Sequence, residues 1–303
     1  MLDTVNDYSK SWRFNFNPAK TIEVTFGESN RSNLEHNLGR KWLLVKVEME
    51  EKPAWDHIGN ILFGDFSNNE ICNAASRKGK EVVSCMLSGG VRPGGLNPIS
   101  GVDIWRTVGL SKMLYGAESW LGINKTYMER LEITNRFAEK RIQGLAPLAR
   151  SVAAIGSIGL WPIEGYINKA KLLFLHKLIT SPPTPTHKIL FIKRLFNYIY
   201  GAVEKPGGFI PDIVGILVKY DLCYILDDYI KSGNTHSHLT WKKEVINRIH
   251  EHELEQWKNE ISQIIELRHF YAKHSKLEPL QLCQVAKRNP IYINDIASSV
   301  NIL

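Results

Sequence analysis

The most prominent pair of acidic residues in the sequence is Asp227 and Asp228, in the segment YILDD. Two adjacent carboxylates that follow an aromatic residue and one further residue are able to hold two metal ions for phosphoryl chemistry. Here Ile225 stands where that pattern needs the aromatic residue, and the surrounding apolar residues recur at helical spacing. We therefore interpret Asp227 and Asp228 as part of the solvated face of a helix.

Histidine supplies two further candidate metal sites, because the sequence contains two His-x-His pairs. His250 and His252 lie in a segment of helical spacing, where residues two apart diverge. His236 and His238 lie in a predicted loop and are able to converge. Neither pair has a carboxylate or thiol at matching spacing, so we predict a surface loop and no metal site.

The sequence contains no motif typical of a nucleophilic enzyme or of a phosphate-binding loop. We find no serine or cysteine nucleophile motif, and the segment GGVRPGG lacks the Lys-Ser/Thr that would make it a phosphate-binding loop. The four cysteines are far apart, which indicates free thiols in a reducing compartment: Cys72, Cys85, Cys223 and Cys283.

Positive charge is concentrated in one part of the chain. The 303 residues have a formal net charge of +7, and ten basic against five acidic residues place +5 of it between Ser111 and Ile179. A solvated helix face explains such a segment as well as phosphate contacts do. The concentration makes this segment the first candidate for binding a polyanion.

Composition indicates a folded chain without a membrane span. Hydrophobic residues make up 44% of the sequence and charged residues 23%. The polar start MLDTVNDYSKSWRF has no apolar signal core, and no run of about 18 apolar residues occurs. We expect an intracellular protein, nuclear or cytoplasmic.

The sequence predicts strands in the N-terminal part of the chain and helices in the rest, and these elements position the residues described above. Three segments have strand-like patterns: TIEVTF (21–26), KWLLVKVEME (41–50) and HIGNILFG (57–64). They predict a small antiparallel β unit. From Asn69 onward the spacing is helical, so the predicted fold class is α+β, mostly α.

Four regions follow from this pattern. They are a β region at 1–68, a helical domain at 69–180, a Pro-rich linker at 181–186 and a helical C-terminal region at 187–303. The best-defined helix begins at a capping-box pattern, Thr126 with Glu129, and stops at Gly144. Arg136 and Lys140 share one face of it and Arg130 and Arg141 flank them, whereas Leu131, Thr134, Ala138 and Ile142 form the apolar face.

Three spaced motifs in the basic segment resemble the region after the palm of non-LTR retrotransposon reverse transcriptases. The first is a Leu-Tyr-Gly-x-Glu-x-Trp corner, the second a Leu-x-x-x-Asn-Arg-Phe run within MERLEITNRFAEKRIQGL, and the third the turn GLWPIEG. The matching residues are Leu114, Tyr115, Gly116, Glu118 and Trp120, then Leu131, Asn135, Arg136 and Phe137, then Gly159, Leu160, Pro162, Ile163 and Glu164. We expect Tyr115 and Trp120 to be buried, so that the corner holds the following helix rigidly.

The flanking segments extend the resemblance over nearly the whole chain. FNPAKT resembles the turn at the end of the palm, and Lys20 takes the position of a family lysine that assists the pyrophosphate leaving group. DHIGNILFG resembles the primer-grip hairpin, with Ile58 and Gly59 at its tip. The resemblance therefore implies a palm-edge remnant, a thumb-like helical domain and post-thumb helices.

The sequence departs from the family at the reaction centre. In the family the catalytic carboxylates lie upstream of the lysine turn, but only Asp3 and Asp7 are acidic before Lys20, and no aromatic-x-Asp-Asp occurs. The complete family enzyme uses Mg²⁺. We expect a truncated, non-catalytic region without a cofactor that retains weak, non-specific binding to duplex or RNA–DNA hybrid backbones through Arg130, Arg136, Lys140 and Arg141. The alternative is a helical protein–protein interaction module without nucleic-acid affinity.

Overall fold

The computed structural model describes residues 2–17, 20–24, 43–44, 47–57, 59–63, 68–92, 95–184, 186–201, 208–233 and 235–280. These residues belong to two compact units, Met1–Ile71 and Cys72–Leu303. The described part of the chain is mostly helical, as the sequence predicts. None of its helices is long and apolar enough to cross a membrane.

In the first unit, the described residues before Asn69 form one helix and six short strands. Helix α1 (Leu2–Ser11) is followed by β1 (Ile22–Glu23), β2 (Leu43–Leu44), β3 (Val47–Glu48) and β4 (Glu50–Glu51). Strands β5 (Ala54–His57) and β6 (Asn60–Phe63) complete the unit.

The predicted single antiparallel unit is wrong for the described residues of this region. Strand β1 pairs with β4 in parallel, while β2 with β3 and β5 with β6 form two separate antiparallel pairs. Alternation identifies a strand but carries no information on its partner. Pro53, which cannot donate a ladder hydrogen bond, lies between β4 and β5.

The second unit begins with the helices that surround the corner motif. Helix α2 (Asn69–Ser88) follows the predicted boundaries closely. Helices α3 (Pro98–Ile104) and α4 (Leu110–Met113) are joined by a π-helical turn, Trp105–Gly109, so they form one continuous helical rod with a bulge. A 3₁₀ turn, Ala117–Ser119, ends the corner.

Helix α5 (Lys125–Gln143) carries the basic residues of interest. The predicted capping box is wrong: Asn124, one residue before the helix, accepts the N–H of Tyr127 at 2.9 Å. Asn ranks above Thr as an N-cap, so the earlier start is the stronger one. The predicted stop is confirmed, because Gly144 adopts φ +70° and ends the helix in the left-handed conformation.

Helices α6 (Ser151–Ile158) and α7 (Ile163–Thr180) pack against α5. Then follow α8 (Thr186–Ile199), α9 (Phe209–Lys219) and α10 (Cys223–Ser232). The long helix α11 (His238–Ser262), a 3₁₀ turn (Ile265–Leu267) and α12 (Arg268–Lys273) end the described chain. Asp221 adopts φ +55° between α9 and α10 and separates them.

One apolar core joins the helices on both sides of the proline-rich segment. Leu172 and Leu175 of α7, Ile213 of α9 and Val245 of α11 are all buried in it. Lys188 of α8 is buried as well, and its ammonium donates to the last carbonyls of α7, at 3.0 Å to Leu178. The segment 181–186 therefore connects two helices that share a core.

The corner motif is buried only in part. Trp120 is 3% exposed and Ala117 is fully buried, as expected for a core anchor. Tyr115, in contrast, is 52% exposed, so its predicted burial is wrong. Gly116 adopts φ +78°, and this left-handed turn directs Ala117 and Trp120 inward but leaves Tyr115 at the surface.

We predict that Trp120→Ala lowers the free energy of unfolding by about 3–5 kcal/mol, as for large aromatic truncations in cores. Tyr115→Ala is the matched control from the same motif and should cost less than about 1 kcal/mol, because that side chain is half exposed. Urea denaturation followed by circular dichroism measures both. An equal loss of unfolding free energy in Trp120→Ala and Tyr115→Ala would contradict the different burial of the two side chains.

Candidate nucleic-acid interface

The inner face of α5 is fixed by apolar packing. Leu131, Thr134, Ala138 and Ile142 are each at most 1% exposed, which confirms the predicted inward face. The hydroxyl groups of Thr134 and Ser76 of α2 lie 2.5 Å apart. The opposite face of α5 is therefore the one that meets solvent.

A buried polar network locks the rotation of α5. The side chain of Asn135 accepts the indole N–H of Trp105 at 3.0 Å and donates to Glu139 Oε1 at 2.7 Å and to the carbonyl of Trp161 at 3.2 Å. Glu132 Oε2 accepts the N–H of Ile163 at 2.7 Å. That carboxylate caps the first turn of α7, where a negative charge is favourable.

Three of the four predicted basic residues lie together on the outer face. Arg136, Lys140 and Arg141 line a hollow of about 250 Å³ at the C-terminal half of α5. The rest of its lining is apolar and comes from both sides of Gly144: Ile133, Phe137, Leu145 and Pro147. We call this set of seven residues the α5 hollow.

Arg130 does not belong to the α5 hollow. Its guanidinium donates to the side-chain oxygen of Asn73 on α2 and lies 5.7 Å from the ring centre of Tyr127. Asn73 precedes Arg130 by 57 residues, so no local pattern could have indicated this contact. Arg130 ties α5 to α2 instead of joining the basic face.

The three cations of the α5 hollow differ in how free they are. Arg136 forms an ion pair with Glu129, and Lys140 donates to the carbonyl of Pro147 at 2.8 Å. Arg141 is exposed and its guanidinium lies 5.3 Å from the ring centre of Phe137. Burial, followed by the charge of Arg136, lowers the pKa of Lys140. An anion in the hollow would offset that repulsion.

Helix α5 also contains an acid that is completely buried. Glu139 is 0% exposed, and within the described part of the chain its Oε2 has no hydrogen-bond partner. Burial raises the pKa of Glu139 well above its ordinary value, and the nearby Glu132 raises it further. Burial therefore favours the neutral, protonated form of this carboxyl group over the ionised one.

The remaining predicted site residues are placed as follows. Gly59 lies in the turn between β5 and β6 with φ +78°, whereas Ile58 lies outside the described residues. Lys20 is exposed, and its N–H donates to the carbonyl of Asn17 at 3.0 Å. In the GLWPIEG turn, Pro162 directly precedes α7.

The candidate metal ligands do not converge. Asp227 and Asp228 are exposed on α10, as predicted for a solvated helix face. His250 Nδ1 lies 3.2 Å from the indole nitrogen of Trp161, whereas His252 packs edge-on against Tyr220. Among the described residues, no three His, Cys, Asp or Glu side chains are grouped to hold a metal ion. Cys72, Cys85 and Cys223 are free thiols, and Cys283 lies outside the described residues.

Comparison of the chain with protein-family models, with curated proteins and with solved structures found no match.

We predict that Glu139→Gln stabilises the chain increasingly as pH rises. The folded-state pKa of Glu139 is raised, so between its ordinary value of 4.5 and the raised value the folded state holds a proton that the unfolded state has released. Stability therefore falls with pH through this window, by about 1.4 kcal/mol per pH unit. Glutamine resembles the protonated acid in shape and cannot ionise.

Urea denaturation of the parent chain and of Glu139→Gln at about pH 5 and about pH 8 measures the difference. The two chains should be similar at the lower pH, and the variant should be the more stable at the higher pH. A difference that does not change with pH would mean that Glu139 is ionised in the folded state.

Proposed function

We propose that this chain is a helical module of reverse-transcriptase origin that binds the backbone of duplex nucleic acid or RNA–DNA hybrid through the α5 hollow. The grouping of Arg136, Lys140 and Arg141 on the outer face of α5 is the observation that supports it most directly. Phosphate contacts from such side chains carry no base information, so the binding is independent of sequence.

The charges of the α5 hollow favour an anion that comes from outside the chain. Three positive charges lie at one surface, and Glu129 is the only acidic side chain that forms an ion pair with them within the described residues. Lys140 donates to a neutral carbonyl and Arg141 lies against an aromatic ring, so neither forms an ion pair with a described carboxylate. A polyanion that crosses this surface would release counterions as it binds.

The rigidity of α5 supports the same proposal. Binding a backbone costs less entropy when the cations are already held in place. Trp105, Asn135 and Glu132 tie α5 to the π-helical turn and to the start of α7. In the proposal, these segments together make up the thumb-like region.

The alternative function, a helical protein–protein interaction module, also has an observation in its favour. Leu148, which follows Pro147 of the α5 hollow, is 95% exposed, and Ile133 is 50% exposed. Apolar side chains beside Arg are typical of protein interfaces. Variants of the charged residues of α5 separate the two functions.

We predict that the triple variant Arg136→Gln, Lys140→Gln, Arg141→Gln binds duplex DNA and RNA–DNA hybrid more weakly than the parent. The slope of log affinity against log salt concentration should flatten by about two to three units, roughly one for each phosphate that the variant no longer neutralises. Fluorescence anisotropy with labelled duplexes of two unrelated sequences, over a series of salt concentrations, measures both effects.

The matched control removes charge elsewhere on the unit. Arg268→Gln with Lys273→Gln on α12 changes two exposed residues and should leave the salt slope close to that of the parent. If the triple variant has the parent's affinity at every salt concentration, backbone binding by the α5 hollow is refuted. The interaction-module function is then preferred, and Leu148→Ser becomes the informative variant.

We also predict that the purified chain does not incorporate nucleotides. The sequence has no aromatic-x-Asp-Asp to hold the two metal ions that nucleotidyl transfer needs. A primer-extension assay with Mg²⁺ or Mn²⁺, run beside an active reverse transcriptase, tests this. Template-directed extension that stops when the metal is chelated would show that the chain supplies its own reaction centre.

A further inference from the structure

A second concave site lies at the meeting point of the π-helical turn, α7 and α11. It is a cavity of about 560 Å³, within the range of small-molecule sites. Arg106 of the π-helical turn, Lys169 of α7 and His250 of α11 line it together with two aromatic residues, Trp161 and Tyr166. None of these residues belongs to the α5 hollow.

The cavity brings positive charges together without a matching carboxylate. Within the described part of the chain, Lys169 forms no ion pair with an acidic side chain. Burial, the charge of Lys242 and the charge of Arg106 all lower the pKa of Lys169. Lys169 is half-buried, whereas Arg106 and Lys242 are exposed. Like charges beside a half-buried cation are unfavourable unless an anion joins them.

Arg106 is held in place by a hydrogen bond that uses only part of its guanidinium N–H groups. Its Nη2 donates to the carbonyl of Gly159 at 2.5 Å. A guanidinium has five N–H donors, so several remain for a ligand. The π-helical turn that carries Arg106 is a type of bulge found frequently at functional sites.

The rest of the lining suits a planar, apolar body. Trp161 and Tyr166 stand side by side with ring centres 5.3 Å apart. The indole N–H of Trp161 is directed to His250 Nδ1, which leaves His250 Nε2 for another partner. Apolar side chains complete the wall: Leu110, Leu114, Leu173, Ile246 and Leu277.

We propose that this cavity binds a nucleoside 5′-monophosphate group, with its phosphate at Arg106 and Lys169 and its base against Trp161 and Tyr166. Cations provide the phosphate contacts, and aromatic side chains are the surfaces on which nucleobases stack. The group is either a free nucleotide or the 5′-phosphorylated end of a strand, and both present the same chemistry. The site is separate from the α5 hollow and does not depend on backbone binding there.

The test is isothermal titration of the full chain with AMP, and with a short single strand that carries either a 5′-phosphate or a 5′-hydroxyl group. We expect AMP or the 5′-phosphorylated strand to bind, and adenosine, inorganic phosphate and the 5′-hydroxyl strand to bind at least about tenfold more weakly, because each lacks one half of the recognised group. Binding of AMP would identify a free nucleotide as the ligand, and binding of the 5′-phosphorylated strand would identify a strand end.

The variant Lys169→Gln tests whether Lys169 contacts the phosphate group of the ligand. It should weaken binding of the phosphate ligand at least about tenfold. It should not lower the urea midpoint, because it removes the repulsion from Lys242 and Arg106. Lys177→Gln, an exposed residue of the same helix, removes an equal charge and should bind like the parent.

Proton uptake gives a second readout. At alkaline pH, an anion beside Lys169 should restore its proton, so binding to the parent should take up protons and binding to Lys169→Gln should take up fewer. Titrations in two buffers of different ionisation enthalpy measure this. The proposal is overturned if neither AMP nor the 5′-phosphorylated strand binds, or if Lys169→Gln binds them like the parent. Octanoate, a carboxylate with an apolar tail and no base, is the control for a cavity that accepts any apolar anion. Tighter binding of octanoate than of both phosphate ligands also overturns the proposal.

Discussion

The side chain of Asn135 is the constraint on which both candidate sites depend. It is fully buried, and its amide bonds Trp105 of the π-helical turn, Glu139 of its own helix and the carbonyl of Trp161 before α7. Arg106 and Arg136 each follow one of these network residues directly in sequence. A polar group buried without its partners costs about 1–3 kcal/mol, so the three segments are held in one arrangement.

The long helices and their faces were predictable because their signals are local. Helix α2 and the inward face of α5 follow from apolar residues at three-to-four spacing, and Arg136, Lys140 and Arg141 lie within a turn and a half. The strand pairs were not predictable, since β1 pairs with β4 across a gap of more than twenty residues and alternation does not encode a partner. Tyr115 was assigned to the core by its type, whereas the left-handed turn at Gly116 decides its exposure.

The cavity lined by Arg106 and Lys169 was not predictable from the sequence either, because local patterns do not encode contacts between residues that are far apart in the chain. Arg106, Lys169 and His250 are separated by more than sixty residues from one to the next, and no local spacing links them to one another. The sequence indicates only that His250 and His252 diverge on a helix, whereas the structure places them beside different residues, Trp161 and Tyr220. Sites made of residues far apart in sequence exist only after the core has formed.

Both sites bring like charges together, but their cations differ in whether a carboxylate already pairs with them, and this difference explains the affinity expected of each site. In the α5 hollow, Arg136 already pairs with Glu129 at a partly exposed surface, so a phosphate must replace an existing partner and gains little. Salt screens the remaining attraction, so the proposed backbone binding is expected to be weak and to depend on salt concentration. In the cavity, Lys169 is half-buried beside other cations and pairs with no described carboxylate, so a phosphate relieves repulsion instead of exchanging one partner for another. The two proposals therefore predict tighter and more selective binding in the cavity, and weaker, sequence-independent contact at α5.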